Sequence, residues 1–228
     1  MTQKKTMRVM FALSLLPIAM AVWASEPVRK LPEVAMQRVQ VNLGVGCRFA
    51  VTLPVSADGG VGQDFQKGTG AIAVKPLPKK WRAKKQSLDF IGLSIRCVDG
   101  QSQFESTGLA NFNSQKQIWE KNISKRFELD GEKLSLDEYQ VYDQATRIYN
   151  ITEVNIKGYA ATEDDVIGDE EKRQRYLSFC LFHSNKALCG SGTVAYLSDG
   201  PKGDLTKYAL EMIRSIEFLD DAAPAAGK

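Results

Sequence analysis

Two apolar runs, Arg175–Phe182 and Ala187–Leu197, flank the polar tetrapeptide His183-Ser184-Asn185-Lys186, and each run carries one cysteine. No other feature constrains the fold as tightly. A two-residue turn at Ser184-Asn185 sets residue 183 against 186, and the same register sets Cys180 directly against Cys189. Turn length and cysteine spacing therefore agree on a β-hairpin closed by a cross-strand disulfide.

A second alternation runs through the odd positions Val39, Val41, Leu43, Val45, Cys47, Phe49, Val51 and Leu53, all apolar, while the even ones are mostly polar or small. Period two marks a strand with one buried face. Gly44 and Gly46 predict a bulge or bend dividing it in two. Ile91, Leu93, Ile95 and Cys97 again share one parity, so Cys47 and Cys97 both fall on inward faces of strands. A buried Cys47–Cys97 disulfide tying two strands of one sheet or layer is expected. Zinc is the competing use of four cysteines, but their separations lack the close pairs of a structural zinc site.

Between these strands, the glycine-rich stretch 56–70 reads as a mobile loop and Ala71 to Val74 as a short strand. The period changes over 113–127. Ser114 and Gln117 have capping-box spacing, and Trp119, Ile123 and Phe127 recur every four residues, which predicts an amphipathic helix ending before Asp130-Gly131. Residues 135–145 fit either helix or strand. Thr146 to Ala160, rich in β-branched and aromatic residues, predicts one long strand, followed by an acidic loop, Glu163 to Glu171. After the break at Asp199-Gly200-Pro201, Asp204 caps a final helix through Leu205, Tyr208, Ala209, Met212, Ile213 and Ile216. The tail 222–228 reads as disordered. This order predicts an α+β fold: a mostly antiparallel sheet with a mid-chain helix and a C-terminal helix packed on it, and two disulfides.

At the amino terminus, Lys4, Lys5 and Arg8 precede an apolar stretch from Val9 to Val22 and then Val22-Trp23-Ala24. That is the anatomy of a cleavable export signal, cut after Ala24 or alternatively after Ala21. The stretch is too short for a bilayer span, which needs about 20 apolar residues, and Pro17 interrupts it. The expectation is a signal peptide over 1–24, a single domain over 25–221, a periplasmic location and no membrane span after cleavage. The signal also carries the excess of positive charge. The whole chain has 30 Lys+Arg and 27 Asp+Glu; three of the bases and none of the acids lie in 1–24, so the remainder is electrically neutral. A global attraction to nucleic acid is not expected.

The motifs of catalysis are sparse. His183, the sole histidine, falls at the hairpin tip and reads as a solvated turn residue. Cys189-Gly190-Ser191-Gly192 superficially matches the neighbourhood of a cysteine-protease nucleophile, but the hairpin disulfide claims Cys189. The sequence contains no G-x-S-x-G elbow, no H-E-x-x-H and no phosphate-binding glycine loop, so no cofactor or metal is expected. The sequons at Asn122 and Asn150 fall in a predicted helix and strand and read as chance matches. Two charged segments remain. Lys75, Lys79, Lys80, Arg82, Lys84 and Lys85 surround Pro76, Pro78 and Trp81; they form either a docking stripe for an acidic partner or phosphate, or a solvated loop. Glu163, Asp164, Asp165, Asp169, Glu170 and Glu171 form their acidic counterpart, lacking the frame of a calcium loop. The candidate partner-binding residues are accordingly Lys79, Lys80, Trp81, Arg82, Lys84, Lys85, Glu163, Asp164 and Asp165.

The segment Cys47-Arg48-Phe49-Ala50-Val51-Thr52-Leu53-Pro54 resembles the opening strand of PsbP-like domains, and Tyr208 to Phe218 resembles their closing helix and its "Ser-apolar-x-Phe" end. Several periplasmic immunity proteins that neutralise type VI secretion effectors open and close in this way. The two disulfides and the long middle segment depart from that pattern. The resemblance implies an α+β or α/β/α sandwich that acts by binding another protein and assigns no site residue. The expected function is that of an exported, non-catalytic protein-binding domain, an immunity protein or inhibitor of a toxin or hydrolase. The alternatives are an envelope accessory or assembly protein and an enzyme with an unrecognised active site.

Overall fold

The computed structural model describes residues 34–219, apart from 57, 85, 101–108, 130, 132 and 154. The expected signal peptide, the expected tail and Lys85 lie outside these residues. All described residues belong to one compact unit.

The alternating run is a hairpin. Strands β1 (Met36–Asn42) and β2 (Arg48–Pro54) pair antiparallel, with Val39 opposite Val51. The division at Gly44 and Gly46 is a turn in which both adopt positive φ, 121° and 75°, accessible to glycine at little cost. Val45 at its tip is the exception to the buried parity and is 80 % exposed. A short β12 (Glu217–Phe218) pairs on the other side of β2, completing a three-stranded sheet.

The larger sheet holds β3 (Gly60–Asp64), β4 (Thr69–Val74), β5 (Ile91–Asp99), β8 (Thr146–Glu153), β9 (Ile156–Asp164), β10 (Gln174–His183) and β11 (Lys186–Tyr196). Their order is β3-β4-β5-β11-β10-β9-β8, with every neighbouring pair antiparallel. The β10–β11 hairpin has the register expected from its turn: His183 faces Lys186, Cys180 faces Cys189, and a disulfide joins the two with Cα atoms 4.1 Å apart. Gly190, opposite Phe179, is required there: a Cβ would sit 2.7 Å from the Phe179 ring.

Four expectations are corrected. The stretch 56–70 is not simply a loop, because 60–64 forms edge strand β3 against β4. The expected helix over 113–127 is mostly a hairpin, β6 (Ala110–Asn113) and β7 (Ile118–Lys121), and only Ile123–Leu129 is helical, as α1. The four-residue spacing of Trp119, Ile123 and Phe127 spans a strand and a helix that both turn their apolar side inward. The long strand 146–160 is two strands, β8 and β9, turning between Glu153 and Ile156; β-branched residues on both sides hide the turn. Finally, Cys47 and Cys97 do not share a sheet. Cys47, fully buried, enters β2 of the smaller sheet, while Cys97 lies on β5 of the larger, with Cα atoms 6.0 Å apart. The ambiguous 135–145 is helix α2 (Leu136–Ala145), started by a true capping box in which Ser135 and Glu138 bond each other's backbone N–H groups.

Strand parity sorts the larger sheet into two faces. Ile91, Leu93, Ile95, Leu177, Phe179, Leu181, Leu188 and Val194 face the main core, shared with Phe49, Val51 and Leu53 of β2 and with the C-terminal helix α3 (Thr206–Arg214). Tyr208, Ala209, Met212 and Ile213 of α3 are buried there. Each large side chain so buried contributes roughly 1.5–3 kcal/mol relative to exposure. The opposite face carries a smaller cluster under the β6–β7 hairpin, where Trp119 stacks on Phe182 with ring centroids 5.1 Å apart and meets Tyr159 and Phe112 at tilted angles of 42° and 54°. Asn150 anchors this hairpin: its amide accepts the Trp119 N–H and donates to the Trp119 carbonyl. The amide of the Asn150 sequon is thus engaged in anchoring the hairpin. No helix among the described residues is long and apolar enough to cross a membrane, and the two disulfides fit an oxidising compartment.

Candidate functional site

The basic segment between β4 and β5 is folded firmly onto the body of the protein. Leu77, Trp81 and Leu88 are buried in the main core. The Leu77 N–H donates to the Asp89 carbonyl across the base of the segment, and Lys79–Trp81 form one 3-10 turn. The Gln86 side chain accepts the Ala83 N–H at 2.8 Å and donates to the Leu88 carbonyl. Ser87 donates both its N–H and its hydroxyl to the Asp199 carboxylate, at 2.6 and 2.8 Å, tying the segment to the turn after β11. With its apolar residues pinned inward, Lys79, Lys80, Arg82 and Lys84 are left exposed.

Trp81 is the pivot. It is 6 % exposed, and its indole stacks on Tyr208 of α3 with centroids 4.3 Å apart and planes 11° from parallel. A contact surface would use an exposed aromatic; here the ring is a core residue that positions its charged neighbours. The stack brings Lys80, Arg82 and Lys84 against Lys202, from the helical turn Gly200–Gly203, and Lys207 of α3. These five cations line one cleft of about 540 Å³. Lys207 lies over the Tyr208 ring, 4.6 Å from its centroid. Lys202 and Lys207 are more than a hundred residues from the basic segment and no local pattern singles them out, so the cleft could not be read from the sequence.

One carboxylate, Asp204, also lines the cleft, and it is already engaged. Its Oδ1 accepts the Thr206 N–H at 2.8 Å, although the N-cap of the helix is Leu205 and not Asp204 as expected, while Oδ2 accepts Arg175 Nη1 at 2.6 Å. Arg175 in turn grips Asp164 with a bidentate fork, Nε to Oδ1 at 2.5 Å and Nη2 to Oδ2 at 2.7 Å. Hydrogen bonding to Asp164 raises the Arg175 pKa still further above its ordinary value, partial desolvation opposes this, and the charge of Asp204 adds to it. The acidic segment is therefore not a free loop at this point. Asp164 ends strand β9 behind the cleft, Asp165 exchanges hydrogen bonds with Gln174, and Glu163 is half-buried opposite Tyr176 and Thr146.

The three partners of this ionic chain are only 14–26 % exposed, so removing the central cation leaves two nearby carboxylates uncompensated. Arg175→Met is expected to cost about 2–4 kcal/mol, somewhat below the cost of breaking a fully buried pair. Arg175→Lys recovers only part of this, because an ammonium cannot reproduce the fork. Urea denaturation of the two variants checks both statements.

The two residues that most resembled catalytic groups are committed elsewhere. Cys189 is in the hairpin disulfide. His183 is not a solvated tip: it ends β10, stacks on Phe218 with centroids 4.9 Å apart and bonds through Nδ1 to the Asn155 carbonyl at 2.9 Å. Among the described residues, no group of three or more His, Cys, Asp or Glu is arranged to hold a metal ion. No protein-family model matches this chain, and neither does any curated protein.

Proposed function

We propose that this protein is an exported binding domain that uses the basic cleft to engage an acidic surface on a protein partner, acting as a periplasmic immunity protein or inhibitor. The observation that carries the reading is the convergence of Lys80, Arg82, Lys84, Lys202 and Lys207 from three separate segments on one cleft whose single carboxylate among the described residues, Asp204, is held by Arg175. Residues 25–228 carry no net charge and exert no global pull on a partner, so a local concentration of one sign supplies steering and register. The terminal resemblance to PsbP-like immunity proteins points in the same direction.

A direct test is rescue. Expression of this protein is expected to relieve the toxicity of an exported hydrolase or toxin encoded beside it. The charge-reversed variant Lys80→Glu/Lys84→Glu/Lys202→Glu is expected to fail at the same expression level. All three side chains are exposed, so the melting temperature stays within about 2 °C of the parent, in line with the small effects of surface substitutions. With the purified partner, association slows about tenfold or more at low salt and the difference closes as salt rises. Equal rescue and equal association rates would remove the cleft from the interface.

A further inference from the structure

The outer face of the larger sheet carries a second concave site, unrelated to the basic cleft. Cross-strand registers align Ala71, Ser94, Ser191, Ser178 and Ala161 in one row across β4, β5, β11, β10 and β9. Exposed positions on central strands ordinarily take β-branched or aromatic residues, whose cross-strand pairs contribute roughly 0.2–1 kcal/mol each. Ala71, Ser94 and Ser191, exposed, and Ser178, half-buried, forgo that and leave a trough that ends at the buried Ala161. The next row, Thr69, Arg96, Cys189, Cys180 and Tyr159, forms one wall. Ser94, Ser178 and Ser191 of the first row, the second row and Leu109 line an open trough of about 570 Å³, a volume typical of small-ligand sites.

The chemistry of the trough is specific. Arg96 is exposed and forms no ion pair among the described residues. Its guanidinium offers a planar fork suited to a carboxylate. The Ser94 hydroxyl donates to the Ser191 carbonyl at 3.1 Å, and the hydroxyls of Ser178, Ser191 and Thr69 line the cavity beside it. Leu109, the Tyr159 ring and the disulfide supply an apolar end.

We propose that this trough binds the C-terminal end of a peptide: Arg96 takes the carboxylate, the serine hydroxyls take backbone amides, and the apolar end takes a terminal aliphatic side chain. The ligand is either a free peptide or the C-terminus of another protein. The whole chain, isotope-labelled and with both disulfides formed, is titrated with N-acetyl-Gly-Ala-Leu and, separately, with its C-terminal amide. The free acid is expected to give saturable shifts at the backbone amides of Ser94, Arg96, Ser178, Gly190 and Ser191. The amide is expected to bind at least about tenfold more weakly, as is the free acid to Arg96→Gln, through loss of a charge-assisted bond. Ser191→Leu, which fills the trough from an exposed position, abolishes the shifts while the fold is retained. A carrier protein ending in the same three residues binds equally if the trough accepts protein termini; binding of the tripeptide alone restricts it to free peptides. Equal binding of acid and amide, shifts confined to the basic cleft, or no shifts at millimolar peptide would overturn the proposal.

Discussion

Removing the Cys47–Cys97 disulfide by paired alanine substitution is expected to destabilise the protein by about 4 kcal/mol, against about 2.5 kcal/mol for the Cys180–Cys189 bond. The chain-entropy part of this difference follows from sequence separations of 50 and 9 residues. The structure adds a second reason. Cys47–Cys97 links two different sheets, which otherwise meet through core packing and a few side-chain contacts, such as Asn42 N–H to Gln63, Asn155 to the Phe218 carbonyl and His183 on Phe218. Cys180–Cys189 closes a hairpin that a tight turn and a continuous ladder already hold in register. For a domain of this size, about 2–4 °C per kcal/mol gives a loss of about 8–16 °C for the first pair and about 5–10 °C for the second. Thermal and urea unfolding of both double variants measure it. The reverse order would show that the link between the sheets is dispensable.

Trp81→Ala is the single substitution with the largest expected effect on both stability and binding. It empties a core position stacked on Tyr208, and truncation of a buried tryptophan costs about 3–5 kcal/mol. The cleft should suffer with it, because Lys80, Arg82 and Lys84 are presented by a segment whose inward anchor is this ring. Slower partner association with every cation still in place would separate positioning from charge. Trp81→Phe is far milder, about 1 kcal/mol, since the ring stack is largely kept and the indole N–H, which has no hydrogen-bond partner among the described residues, is dispensable. A melting temperature unchanged in Trp81→Ala would place Trp81 outside the core. The contrast with the lysine reversals is the informative measurement: those alter association and leave unfolding alone.

The comparison of Trp81 with Trp119 shows how far pattern reading reaches. Trp81 sits in a segment without clean periodicity and Trp119 in one with a misleading four-residue spacing, and both are buried through partners distant in sequence: Tyr208 for the first, Phe182 and Tyr159 for the second. The spacing around Trp119 imitates a helix because residues four apart can share an interior even when the backbone changes from strand to helix between them. Asp164 looks like a loop charge in the sequence because Arg175, which claims it, stands on the next strand. The turn between β8 and β9 was hidden because β-branched residues continue on both sides of it.

What the sequence alone determined was local. Period-two alternation located β1, β2 and β5, two apolar runs marked β10 and β11, two left-handed glycines turned β1 into β2, and a two-residue turn fixed the register that opposes Cys180 to Cys189. Each of these depends on interactions between residues a few positions apart, where side-chain direction follows from backbone period. Tertiary structure decided that Cys47–Cys97 joins two sheets, that His183 packs on Phe218, and that Lys202 and Lys207 complete a cleft begun by Lys80, Arg82 and Lys84. Those outcomes depend on which apolar faces bury against one another, and a linear pattern states that a face is apolar without naming its partner.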